Sequence, residues 1–179
     1  MKGTMKRTGN PKKDKELLRF LSEDEKIQSE NLMIVDLLRN DLSSIAKKSS
    51  VVVKDLFKIE EYKTLFQMTS KIQALIEEKT PVETIFKALF PCGSITGAPK
   101  LRTMEIIREL EDNSRGLYTG SIGYFLPNRD MCFNVAIRTL VKDKNKDYRF
   151  GVGGGILYDS NIEDEYNEAL LKSKFLNLK

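Results

Sequence analysis

Three runs rich in β-branched and aromatic residues follow one another closely in the second half of the chain, and they constrain its fold more than any other feature. They span residues 120–126, 132–141 and 148–158 and are separated by only a few turn-forming residues. Links this short join neighbouring antiparallel strands, because a parallel connection needs a dozen or more residues. The sequence therefore predicts an antiparallel β-meander in this region.

The rest of the chain alternates between helical and strand-like periodicity. Residues 14–42 predict one or two helices, residues 51–59 and 64–70 predict strands, and residues 70–78 predict a further helix. Three more helices are expected over residues 81–89, 99–110 and 162–176. Helices first and a strand meander later indicate an α+β (mixed α/β) fold, and the length suffices for one domain, residues 1–179.

The chain contains no histidine, which excludes several kinds of active site. Neither a Ser/His/Asp or Cys/His nucleophile nor a metal site built on imidazole can form from this chain alone. Cys92 and Cys132 lie far apart without Cys-x-x-Cys spacing, so that neither a disulfide framework nor a zinc site is indicated. The metal to consider is therefore Mg2+, a hard cation that prefers oxygen ligands.

The formal charge of +4 comes mainly from a basic segment between Lys2 and Lys15. No aromatic residue interleaves with these cations, so we interpret the segment as a solvated tail and expect no nucleic-acid partner. No apolar run reaches the roughly 18 residues of a membrane span, and the charged N-terminus has no apolar signal-peptide core. We therefore expect a soluble protein of the reducing cytoplasm, without a membrane partner.

Three charged residues of the last predicted helix form one narrow stripe. Glu165, Glu168 and Lys172 are spaced by three and four residues, which places them on the same helix face. Large apolar residues border this stripe on both sides, whereas a solvated face is normally wider. The stripe is therefore a candidate site. The alternative is an exposed Glu/Lys pair, which contributes about 0.3–0.5 kcal/mol.

An acidic residue, Glu30, lies on the apolar face of an earlier predicted helix, beside Met33 and Ile34. A buried carboxylate must be paired, protonated or bound to a metal, because burying it alone is strongly unfavourable. The alternative is a solvated position in the first helical turn, which the helix dipole favours. Glu30 and the acidic stripe could together bind Mg2+, although spacing alone does not bring them together.

Two glycine-containing segments and one arginine are candidates for anion binding. The segment GSITGAPK at residues 93–100 precedes a helix, where backbone amides can receive an anion; it is not a Walker loop, and ordinary capping by Thr96 is the alternative. The run GVGGGILYD, from Gly151, continues into a strand, where glycines indicate the close approach of a ligand or a β-bulge. Arg138, expected in a strand, either points inward to bind a carboxylate or is exposed.

Taken together, these segments resemble the chorismate-binding enzyme family along the whole chain. The matching segments are MKGT at 1–4, ENLMIVDLLRNDL at 30–42, GSITGAPK at 93–100, RGLYTGSIGY at 115–124, VAIRTL at 135–140, and GVGGGI at 151–156 with the following helix. The resemblance implies an anthranilate synthase component I-like fold, in which antiparallel sheets pack together with helices outside. It also implies chorismate as substrate and Mg2+ as cofactor.

The resemblance assigns roles to individual residues. Glu30 and Glu168, supported by Glu165, match the ligands of a Mg2+ ion that holds the ring carboxylate of chorismate. Lys172 matches a catalytic lysine beside the metal and the substrate. The remaining matches are positions that bind the substrate, namely Gly3, Thr4, Thr96, Tyr118, Arg138, Gly153 and Gly155.

Lys2 distinguishes between branches of the family. Aminodeoxychorismate synthases resemble MKGT here, whereas anthranilate synthases usually have alanine in place of the lysine. In the lysine-containing branch this side chain is thought to attack chorismate. Ammonia from a glutamine amidotransferase subunit then displaces it and gives 4-amino-4-deoxychorismate, on the route to p-aminobenzoate and folate. The alternatives are a mobile cation at position 2 and an anthranilate or isochorismate synthase.

Two features depart from the family pattern. Gln67 stands where anthranilate and salicylate synthases have histidine, which disfavours an aromatising elimination of pyruvate. The N-terminal half of the family's domain has no counterpart before Met1, so that the resemblance implies a domain incomplete at its N-terminus. Open sheet edges would then favour homodimerisation or poor solubility. A truncated fragment that binds chorismate or a partner without catalysis is the remaining alternative.

Overall fold

The structure of the chain is a computed structural model that describes residues 3–142, 144, 147–158 and 160–174. It contains two compact units, Met1–Gly93 and Ser94–Lys179. The prediction that one domain spans residues 1–179 stays a prediction. Within the described ranges, none of the helices has the length and apolar character that crossing a bilayer requires.

Helices and antiparallel strands occur in both units, which confirms the predicted α+β class. The first part of the chain contains β1 (Thr4–Lys6), α1 (Pro11–Glu23), α2 (Glu25–Ser43), β2 (Val52–Glu61), β3 (Leu65–Gln73), α3 (Val82–Leu89) and the short α4 (Gly93–Thr96). The second part contains α5 (Lys100–Leu110), β4 (Ser121–Phe125), β5 (Met131–Val135), β6 (Leu140–Lys142), β7 (Tyr148–Phe150) and α6 (Ile162–Ser173).

The first unit is built on a three-stranded antiparallel sheet of order β1-β3-β2. Strand β3 lies in the middle, and its residue Gln67 is the Cα partner of both Thr4 on β1 and Glu60 on β2. Two register shifts interrupt the β2–β3 ladder, and Phe57 lies within the second shift, between Asp55 and Lys58, with a φ of 54°. The two strands predicted from the alternating pattern are confirmed.

The helix predicted over residues 70–78 is wrong. Strand β3 continues to Gln73, and Ile72 pairs with Val53 of β2. Beyond the strand, Ile76 forms an isolated antiparallel bridge with Ala46. Pairing with β2 satisfies the backbone groups of this segment across the sheet, and this long-range gain overrides its weak helical periodicity.

Helices α1 and α2 cover the core of the first unit, and Ile27 of α2 packs against it. Leu21 of α1 packs with Phe66 and Met68 of β3, and all three side chains are fully buried. Helix α1 begins at Pro11 rather than at residue 14, because the Asn10 side chain caps it by accepting the backbone N–H groups of the second and third helical residues. The cluster holds β1 and β3 against the helices.

The second unit contains two hairpins, β4–β5 and β6–β7, which confirms the predicted antiparallel pairing. The predicted strand 132–141 is nevertheless interrupted. Ile137 donates its N–H to the carbonyl of Val135, and Arg138 has a φ of 51°, so that the chain turns out of β5 there. The expectation that Arg138 lies within a strand was therefore wrong.

The run from residue 151 also leaves the sheet, contrary to the prediction that it continues a strand. Strand β7 ends at Phe150, the Cα partner of Leu140, which is the first residue of β6. The glycine run consequently forms a loop between β7 and α6. This loop is the centre of the candidate functional site.

Candidate functional site

The glycine loop after β7 packs closely against one tyrosine. A Cβ atom at Gly151 would overlap the ring of Tyr118, and one at Gly153 would lie 2.8 Å from the Tyr118 hydroxyl oxygen. Only glycine therefore allows the loop backbone to approach the ring this closely. The backbone of Gly153 and Gly155 is exposed, so that the amides of this loop can be reached from solvent.

Tyr118 lies in a turn that begins at Arg115, and Arg115 is held in turn by Glu111. For Tyr118, the contact is made by the main chain. Its backbone N–H donates to the carbonyl of Arg115 over 3.0 Å, and the Arg115 guanidinium donates two hydrogen bonds to the Glu111 carboxylate over 2.9 and 2.6 Å. The hydrogen bonds from Arg115 lower the pKa of Glu111. Burial raises the pKa of the Tyr118 phenol. The phenol therefore stays protonated near neutral pH and can donate a hydrogen bond to an anion.

Helix α6 directs its charged stripe towards the same loop. Asn161 caps the helix by accepting the N–H groups of Glu163 and Asp164. Near the other end, Lys172 Nζ donates to the carbonyl oxygen of Gly153 over 3.0 Å and lies 2.6 Å from Glu168 Oε1. Lys172 thus forms the i,i+4 pair with Glu168 and also a hydrogen bond to the glycine loop, and the role of the stripe as a site stays a prediction.

Ser160 belongs to this site, although the sequence analysis did not identify it. Its hydroxyl donates to Glu165 Oε1 over 2.7 Å and accepts the N–H of Leu157 over 2.9 Å. The other carboxylate oxygen, Glu165 Oε2, lies 2.9 Å from the point that a Cβ atom at Gly154 would occupy. The sequence does show a serine directly before the N-cap residue of an acidic helix. Such serines usually serve only in helix capping, so the pattern did not predict a contact with Glu165.

The acidic donors of α6 fit a magnesium ion. Mg2+ prefers oxygen ligands and commonly uses one or two protein carboxylates together with water and substrate. Glu165 and Glu168 supply such oxygens one turn apart, and the missing side chain of Gly154 leaves space beside Glu165. Among the described residues, no cluster of three or more acidic, cysteine or histidine side chains has the geometry of a metal site. Two carboxylates are fewer oxygen ligands than Mg2+ takes, so a metal here would need further oxygens from water or substrate, and its binding stays a prediction.

Two other predicted substrate-binding residues of the second unit, Arg138 and Thr96, lie on other segments of the chain. Arg138 is exposed and follows the fully buried Ala136 by two residues. Thr96 is half-buried at the end of α4. Their contacts with substrate stay predictions.

Three of the predicted site residues in the described chain belong to the first unit. Thr4 is the first residue of β1 and Gly3 precedes it, and both are hydrogen-bonded to the side chain of Gln67. Glu30 is half-buried on α2. Its participation in a shared metal site with Glu165 and Glu168 stays a prediction, and Lys2 lies outside the described residues.

Residues 1–177 match the family described as chorismate binding enzyme. A protein of Oryza sativa subsp. japonica, described as a probable chloroplastic aminodeoxychorismate synthase, is 47% identical over 175 residues; the match covers 97% of this chain and 19% of that protein. Anthranilate synthase component 1 of Aquifex aeolicus is 41% identical over 174 residues, covering 97% of this chain and 35% of the relative.

A solved structure gives the same result for the fold. The crystal structure of anthranilate synthase component I from Streptococcus pneumoniae matches with a TM-score of 0.80 and 36% identity, covering 91% of this chain and 37% of that one. The predicted anthranilate synthase component I-like fold is thereby confirmed. The chain spans 19% to 37% of the length of these three proteins.

Proposed function

The chain belongs to the chorismate-binding enzyme family, and on this basis we propose that it contributes to the active site of an aminodeoxychorismate synthase. The proposed reaction converts chorismate and ammonia to 4-amino-4-deoxychorismate and water. The product would enter p-aminobenzoate and folate synthesis.

One observation supports a carboxylate-binding active site above all others. Tyr118 and Lys172, which are distant in sequence, both meet the loop at Gly153. A phenol donor, an ammonium group and exposed backbone amides beside one another suit a substrate that has two carboxylates. Thr96, Arg138 and Gly155 would complete the binding of these carboxylates.

The acidic end of this site would hold the metal. Glu165 and Glu168 are the proposed ligands from α6, and Glu30 is the proposed ligand from α2. Bound by these carboxylates, Mg2+ would neutralise the ring carboxylate of chorismate and orient the ring. Ser160 would keep the Glu165 carboxylate in the orientation that binding requires, because its hydroxyl already donates to Oε1.

Lys2 is the proposed nucleophile and favours amination over the other reactions of the family. Its neutral amine would form a bond to carbon 2 of the ring while the 4-hydroxyl group leaves and is protonated to water. Ammonia would then bond to carbon 4, and the bond between lysine and the ring would break. Gln67 offers no imidazole to remove a ring proton, which disfavours the alternative elimination of pyruvate.

Ammonia would come from a glutamine amidotransferase subunit, because free ammonium is a poor source of neutral amine near neutral pH. The name of the Streptococcus pneumoniae relative, component I, indicates an assembly with a second component in that protein. We propose the same type of partner here, and homodimerisation through exposed sheet edges as a further association.

Product analysis tests the proposal. The chain is incubated with chorismate, MgCl2 and an ammonium salt, and the products are separated by liquid chromatography with mass detection. We expect 4-amino-4-deoxychorismate, its loss on chelation of Mg2+, and its loss in Lys2→Ala but not in the matched variant Lys12→Ala. Lys12 is an exposed lysine of α1.

The alternatives predict different products. Anthranilate or isochorismate as the main product would overturn the proposed amination. Chorismate binding in calorimetry without any turnover would instead favour a non-catalytic binding module.

A further inference from the structure

The ion pair between Glu111 and Arg115 is less exposed than the pair that Arg102 forms with Glu105 on α5. The Arg115 side chain is 26% exposed, and its Nε and Nη2 donate to the two oxygens of the Glu111 carboxylate over 2.9 and 2.6 Å. The Arg102 side chain is 59% exposed and donates to Glu105 over 2.8 Å through Nη1. A bidentate, partly desolvated pair holds its two side chains more firmly than an exposed pair does.

This pair joins the end of a helix to the start of the turn that contains Tyr118. Glu111 follows the last residue of α5, and its backbone N–H donates to the carbonyl of Ile107 over 2.9 Å. The carbonyl of Arg115 accepts the backbone N–H of Tyr118 over 3.0 Å. The guanidinium of Arg115 therefore anchors the first residue of the turn to the end of α5.

The chain is also anchored just after Tyr118. The backbone N–H of Thr119 donates to the carbonyl of the fully buried Ala136 over 2.9 Å, and the N–H of Ala136 donates to the carbonyl of Gly120 over 2.9 Å. Thr119 has a φ of 65°, which a β-branched residue adopts only where surrounding contacts hold it. Tyr118 thus lies between two anchors, of which the ion pair is the one made by side chains.

The position of the Tyr118 backbone determines where its hydroxyl lies. The ring packs over Gly151, and the hydroxyl lies beside Gly153. A tyrosine ring moves as a rigid body about its Cα and Cβ atoms, so that a small backbone rotation displaces the hydroxyl by a larger distance. A misplaced hydroxyl would lose the distance and angle that a hydrogen bond to a substrate requires.

We propose that Arg115 is a positioning residue for Tyr118, acting through its ion pair with Glu111. The inference rests on the proposed function, in which the Tyr118 phenol donates a hydrogen bond to a carboxylate of the substrate. Arg115 contributes by fixing the turn from which the phenol extends, and its role requires no contact with the substrate.

Nuclear magnetic resonance tests the placement of the ring without any substrate. The α protons of Gly151 should be shifted by the ring that packs over them, and Tyr118→Leu gives their positions without the ring. Arg115→Met should move these resonances towards the Tyr118→Leu positions, because the turn loses its side-chain anchor. The matched control Arg102→Met removes an ion pair of the same unit and should leave them unchanged.

Exchanging the two charges separates the ion pair from the size of the arginine side chain. Glu111→Arg alone places two guanidinium groups together and should displace the Gly151 resonances as Arg115→Met does. Combining Glu111→Arg with Arg115→Glu restores a pair of the same spacing and should return them most of the way to the parent positions. Arg115→Lys keeps the charge but loses the bidentate geometry, and it should give an intermediate displacement.

Calorimetry with chorismate and MgCl2 tests the consequence for binding. Arg115→Met should raise Kd about tenfold, as expected for the loss of one hydrogen bond to a charged group. In a Tyr118→Phe background, which already lacks the hydroxyl, the same change should alter Kd by about twofold or less, because residues that act as a unit are not additive. Arg102→Met should bind chorismate as the parent chain does.

The outcomes separate this inference from the proposed function. If the parent chain does not bind chorismate but Arg115→Met displaces the Gly151 resonances, the proposed function fails and the positioning is supported. If chorismate binds and Arg115→Met changes neither the resonances nor Kd, the positioning is wrong while the proposed function stands. Equal losses of affinity with and without the Tyr118 hydroxyl would also overturn it. Should Arg115→Met unfold, Arg115→Lys and the exchanged pair provide the same measurements.

Discussion

The two compact units differ in what holds their functional residues in place. Six of the seven buried apolar side chains among the described residues belong to the first unit, and so do the buried polar residues Asp14, Asn31 and Asp41. In the second unit Ala136 is the one member of that set, and helices α5 and α6 have no buried residue.

The second unit nevertheless contains most of the predicted site. Its geometry comes from polar contacts with backbone and from glycine positions, such as Lys172 on Gly153, Ser160 on Glu165, and Tyr118 against Gly151. In the first unit, Gly3 and Thr4 are instead fixed above a packed core. The comparison indicates that core substitutions should affect stability mainly in the first unit, and that substitutions in the second should alter the site at lower cost to folding.

The largest expected effect comes from truncating the core of the first unit. Phe66 is fully buried, and Phe66→Ala should reduce the free energy of unfolding by about 3–5 kcal/mol. The matched change in the second unit is Phe125→Ala, at a residue that is 53% exposed and packs edge-to-face on Phe133. It should cost about 1 kcal/mol. Urea denaturation measures both, and equal losses would refute the contrast between the units.

Substitutions at two glycines of the first unit measure the cost of close packing separately from the cost of a left-handed backbone. Gly3 and Gly9 have φ of 78° and 77°, but a Cβ atom would contact Ile27 at Gly3 and nothing within 4 Å at Gly9. Gly9→Ala should cost about 1 kcal/mol for the left-handed backbone alone. Gly3→Ala should cost about 1–3 kcal/mol more, because the added methyl group must displace packed side chains. Thermal unfolding of the pair measures the difference; similar losses would show that Gly3 is not closely packed.

Replacing a serine of the second unit should have a smaller effect on stability, confined to its surroundings. Ser160→Ala removes the acceptor of the Leu157 N–H and the donor to Glu165, so that local opening should become easier by about 1 kcal/mol. Hydrogen exchange of the Leu157 amide should therefore accelerate about fivefold while global stability changes little. Ser173→Ala, which loses only a bond to the Leu170 carbonyl in α6, is the control. Unchanged exchange at Leu157 would contradict the role of Ser160.

The smallest expected effect is a pH dependence in the first unit. The backbone N–H of Thr8, and then its hydroxyl, lower the pKa of Asp14 by hydrogen bonding to the carboxylate. A lowered folded-state pKa stabilises the fold above the ordinary aspartate value of about 4, and the stabilisation is lost as pH falls through the folded pKa. Asp14→Asn should thus be less stable than the parent at neutral pH, with the difference shrinking in acid. Urea unfolding at several pH values would disprove this if the difference stayed constant.

Local sequence patterns predicted elements well where short-range forces dominate. The hairpins of the second unit and the helices that begin near Pro81 and Pro99 were correct, because turn residues and proline act within a few positions. The helix over residues 70–78 was wrong, since pairing with β2 decides that segment from a distant part of the chain. The strand expected around Arg138 failed for a related reason, as the turn at Ile137 ends β5.

The candidate site was predictable in its residue types and only partly in its contacts. The absence of histidine and the Glu/Lys stripe of α6 are fixed by the sequence, and they limit the site to oxygen donors and amines. The contact of Lys172 with Gly153 and that of Gln67 with Gly3 could not be predicted, because each joins residues far apart along the chain. Tertiary structure decided these contacts, since hydrogen bonds depend on distances of about 3 Å that no local periodicity specifies.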